Sequence, residues 1–170
     1  MPDRTLHTGA TTELWYELVR DGEARMHVRL PDDVESYLVF VLHRHQHDAL
    51  LGGRTMALEC LHGLELVGRA RTDALRDVGD RCLLIAGLFP RLARRRNVQP
   101  GYYAALGQAA YGEVSLLARA GHAELFAQLA RRFDAMRRVL GGIAARGTDV
   151  AEASGQACPL AVQSGTTAMH

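Results

Sequence analysis

The chain contains no lysine: all twenty of its basic residues are arginine. A Schiff-base lysine, a lysine general base and the lysine of a phosphate-binding P-loop are therefore excluded. Cysteine is also scarce. Cys60, Cys82 and Cys158 form no C-x-x-C pair, so the sequence signature of a zinc knuckle or a thioredoxin-like dithiol is missing. Cys60 and Cys82 sit among apolar neighbours and read as small core groups, whereas Cys158 reads as an exposed thiol. No apolar run approaches the roughly 18 residues of a membrane span. The first twelve residues hold nothing resembling a signal peptide, and a cytoplasmic location is the expectation. There is no G-x-S-x-G around Ser115, no glycine-rich loop after a strand, and no carboxylate pair placed as an acid–base couple.

What is present is helical periodicity. His122, Phe126, Leu129, Phe133, Met136, Leu140 and Ile143 recur in steps of four and three, which places them on one stripe of a helix. Similar spacing predicts six helices. The first starts near residue 12, with Leu14, Trp15, Leu18 and Val19 apolar, and Asp21-Gly22 ends or bends it. The second opens at Asp32, with Glu35 completing a capping box, and its apolar run 34–42 marks it as central. The third covers 54–66 and the fourth starts with Thr72 as cap. A break is expected at Pro90, before a continuation through Arg96. The fifth covers 102–120, and the sixth covers 122–146 with Gly141-Gly142 fraying its end. The expectation is an all-α, single-domain bundle of five or six helices over residues 1–146. Residues 147–170, rich in Ala, Ser, Gly and Thr, read as a flexible or loosely docked tail.

A net charge of +1 hides a polarity. Residues 91–146 hold ten arginines against three acids (Glu113, Glu124 and Asp134), whereas residues 1–90 hold ten arginines against fourteen acids. Arg94, Arg95 and Arg96 form one cluster, and Arg131, Arg132, Arg137 and Arg138 lie along the sixth helix. Such a face suits an acidic protein partner or nucleic acid. No stacking aromatics interleave with these arginines, which weighs against nucleic acid.

Two groups carry other chemistry. His43 and His47 stand four apart on the second helix, and Glu59 and His62 three apart on the third. Together they would make a transition-metal site if those helices packed face to face. The bland alternative is a solvated helix end whose histidines complement the dipole. His45 instead continues the apolar face of Val34, Leu38 and Val41. His47-Asp48 is the dipeptide of HD-type metal phosphohydrolases, with His27 and Asp77 or Asp80 as candidate companions that nothing selects. Asp77 and Asp80, near Arg76 and Arg81, read as a local ion-pair network. The second group is a small-residue face of Gly79, Cys82 and Ala86 on the fourth helix, matched by Ala105, Ala109 and Gly112 on the fifth. Tight packing explains it; a pocket lined by Cys82, Phe89, Tyr103 and Tyr111 is the functional alternative.

The run Asp77-Val78-Gly79-Asp80, the apolar segment 83–89, Tyr102-Tyr103 to Gly107, and Ala110-Tyr111 resemble a family of helical proteobacterial proteins without a known activity. The likeness extends weakly to Tyr37-Leu38-Val39. It implies a cytoplasmic bacterial protein and carries over no site residue. The functional expectation is a non-enzymatic, cofactor-free interaction or regulatory module that binds an acidic protein partner. A homodimer would form on the sixth helix if its stripe were left open. A metal-binding enzyme or sensor and a nucleic-acid binder remain as alternatives.

Overall fold

The computed structural model describes residues 4–47, 55–95, 97–99 and 101–154, the side chains of 4–8 and 148–154 aside. Among them there are helices and no strand. They are α1 (Arg4–Met26), α2 (Asp32–His45), α3 (Met56–Glu65), α4 (Gly68–Leu88), α5 (Pro90–Arg95), α6 (Tyr102–Leu117), α7 (Ala120–Arg131) and α8 (Phe133–Ser154). The all-α expectation holds, with eight helices in place of five or six.

Helix α4 is the centre of the bundle, packed by α3, α6 and α8, while α1 lies on α8 and α2, and α7 lies on α6. Leu75, Val78, Cys82, Leu83, Leu84 and Ile85 of α4 are all buried, while Arg69, Arg71, Asp73, Arg76, Asp77 and Arg81 stay at least partly exposed.

The two extra helices come from breaks in longer periodic runs. Phe89 leaves helical geometry (φ −124°, ψ 50°), and Pro90 then occupies the first position of α5, where its missing N–H costs nothing. The expected sixth helix divides at Arg132 (φ −102°, ψ 14°) into α7 and α8. Phe126, Leu129, Phe133, Met136, Leu140 and Ile143 are all buried across the break, and only His122 stays exposed. The stripe changes neighbour there: α7 faces α6, and α8 faces α1 and α4. It is buried inside the chain, so the surface expected to carry a homodimer is already covered.

Other boundaries moved for local reasons. Helix α1 runs straight through Gly22, which sits where α8 crosses: a Cβ there would lie 2.6 Å from the Val139 carbonyl oxygen. The capping box at Asp32 does not form. The cap position is Pro31, with no side-chain hydrogen bond, and the Glu35 carboxylate accepts from Arg20 Nε at 3.2 Å instead. Thr72 lies inside α4, donating to the Gly68 carbonyl at 3.4 Å, because Gly68 (φ 57°) starts the helix a turn earlier. Helix α8 continues through Gly147 to Ser154, past the expected end of the domain. Residues 155–170 lie outside the described residues.

Candidate functional site

Helix α4 carries one acid into the core. Asp80 is fully buried, one turn before Leu83 and Leu84. Its Oδ1 accepts two phenol hydroxyls, Tyr37 from α2 and Tyr111 from α6, each at 2.8 Å. Its Oδ2 has no hydrogen-bond donor among the described residues. That oxygen faces Arg44 Nη1 at 3.7 Å and His45 Nε2 at 3.9 Å. Arg44 also reaches Asp77 at 3.6 Å, and Asp77 receives Arg81 Nε at 2.7 Å. Half of the expected local ion-pair network is thus present, as Asp77–Arg81. Asp80 belongs to a different arrangement, a buried carboxylate that joins three helices.

Aromatic rings close around this centre. Tyr37 and Tyr111 meet edge-on with centroids 6.1 Å apart, Phe126 lies 5.6 Å from Tyr37, and Phe133 lies 5.8 Å from Tyr111, spacings typical of favourable ring contacts. Gly79 makes room for Tyr111: a Cβ there would sit 2.5 Å from the ring. Gly107 does the same for Phe133, again at 2.5 Å, and a Cβ there would also lie 2.9 Å from the Cys82 Cβ of α4. Ala105 and Ala109, by contrast, are exposed, and Gly112 faces open space. The close approach of α6 thus runs through Gly107 and Tyr111 against Cys82 and Gly79, the expected small residues of α4, and not through Ala105, Ala109 and Gly112.

The candidate pocket residues are core residues. Cys82, Tyr103 and Tyr111 are all buried, and Phe89 is half-buried against the core. Burial first, then the Asp80 charge, raises the Tyr37 and Tyr111 hydroxyls above the ordinary phenol range. Burial also pushes the Cys82 thiol up to about 12, and raises that of Cys60, with Glu113 adding to it. Such thiols are held as neutral S–H and are poor nucleophiles.

These shifts predict alkaline lability. In the unfolded chain cysteine titrates near 8.5 and tyrosine near 10. Groups raised in the fold give stability that is complete below the unfolded values and is lost as pH climbs toward the folded ones, by up to about 1.4 kcal/mol per pH unit for each group. Urea midpoints should hold steady up to about pH 8 and then fall, Cys82 acting first and the tyrosines above about pH 10. Tyr111→Phe should flatten the upper part of the fall; an unchanged slope would contradict the assignment.

The proposed metal ligands are not assembled. Helix α3 packs on α4 and α6 rather than face to face on α2, so Glu59 and His62 are not brought to His43 and His47. Among the described residues, no three His, Cys, Asp or Glu gather around a common centre. His45 is buried, as its apolar face required. His27 is exposed, and Asp48 lies outside the described residues.

The arginines take several roles. Arg131 pairs with Glu124 at 3.1 Å, Arg137 with Asp134 at 2.6 Å, and Arg146 with Asp21. Arg138 donates to the Met26 carbonyl at 3.1 Å, at the negative end of the α1 dipole. Arg94, Arg95 and Arg132 are exposed, and Arg96 lies outside the described residues. Among the described residues, no helix is long and apolar enough to cross a membrane. No family model, curated protein or solved structure matches the chain, so its function has to be argued from its own residues.

Proposed function

We propose that the chain is a non-enzymatic interaction module that takes an acidic protein partner on the arginines of α5 and of the α7–α8 junction. One observation carries the reading. The three acids of the basic segment are already engaged: Glu113 by Arg71 of α4 at 3.6 Å, Glu124 by Arg131 and Asp134 by Arg137. Arg91, Arg94 and Arg132 stay exposed, with no acid of that segment left to neutralise them. Helix α4 lies against the Leu140 side chain and the Arg137 carbonyl of α8 at Gly87, and α5 follows just beyond that crossing, with Ala93 buried in the core and Arg91 and Arg94 exposed.

Guanidinium groups suit carboxylates. Each presents a planar fork of donors that can bind bidentately, and each stays charged at any physiological pH. Exposed charges of this kind set the association rate and partner choice more than raw affinity, and salt screens them.

Charge reversal tests the reading. Arg91→Glu, Arg94→Glu and Arg132→Glu alter only exposed side chains, so the fold should persist by circular dichroism. In a pull-down from native lysate, the wild-type chain should retain a protein through nuclease treatment and release it as salt is raised. The triple variant should retain roughly ten-fold less, a loss of about 1.4 kcal/mol. Capture abolished by nuclease would assign the face to nucleic acid, and equal capture by the variant would remove these arginines from the interface.

A further inference from the structure

We draw no further inference here: the strongest candidate, the exposed apolar patch of Leu58, Leu61 and Leu64 on α3, carries nothing, because nothing in the structure shows what covers it.

Discussion

Asp80→Ala should destabilise the fold by about 3–5 kcal/mol, the usual consequence of breaking a buried charge cluster from one side. Two effects act together. The tyrosine hydroxyls of α2 and α6 lose their common acceptor, and each buried donor left without a partner costs about 1–3 kcal/mol. Arg44 and His45 meanwhile lose the carboxylate they face. Against a total stability of about 5–15 kcal/mol for a typical domain, this loss brings the chain close to unfolding, with a melting temperature lower by on the order of 10 °C. Asp80→Asn keeps the shape and one carbonyl acceptor, so it should lose less than alanine. Urea titrations of the three proteins measure both differences. A loss below about 1 kcal/mol for alanine would mean that water replaces the carboxylate and that the centre is not what joins α2, α4 and α6.

Gly22→Ala should cost about 2–3 kcal/mol, although alanine is the better helix former by about 1 kcal/mol. The new methyl would meet the Val139 carbonyl oxygen at 2.6 Å and the Val139 and Ile143 side chains at 3.0 and 3.1 Å. A backbone oxygen cannot rotate away, so α1 and α8 must separate. The separation loosens the neighbouring contact at Gly142, where a Cβ would come within 3.0 Å of the Gly22 carbonyl, and overpacking of this kind typically costs about 1–3 kcal/mol. Gly141→Ala is the control. It lies next to that crossing, but a Cβ there meets nothing within 4 Å. The same change should therefore stabilise α8 by about 0.5–1 kcal/mol. Effects of the same sign at both positions, read from thermal unfolding, would show that propensity and not close approach governs this crossing.

These two sites differ in how far the sequence announced them. For Gly22 the surrounding helical pattern was readable, but a glycine inside it reads equally as a bend or as a crossing. Only the position of Val139, far along the chain, separates the two. Asp80 carried a fainter signal. It stands one turn before Leu83 and Leu84, within the run of α4 that holds most of its buried residues, and that placement is the signal of a buried acid. Its neighbours Arg76, Asp77 and Arg81 hid the signal by offering a local explanation that holds for Asp77 alone. The partners Tyr37 and Tyr111 lie 43 and 31 residues away, and no periodicity within one helix can name them.

The sequence by itself determined that this is an all-helical chain, which residues of its last hundred form the buried stripe, that His45 turns inward, and that lysine chemistry is absent. Those properties follow from composition and from a repeat near 3.6 residues, which any single helix displays without reference to its neighbours. Only the tertiary structure decided that α3 packs on α4 instead of bringing Glu59 and His62 to His43 and His47, that the stripe breaks at Arg132 to serve two neighbours, and that one carboxylate joins three helices. A stripe specifies that a face will be buried and leaves open what buries it. That choice rests on which ridges, glycines and charges from distant segments fit together at once.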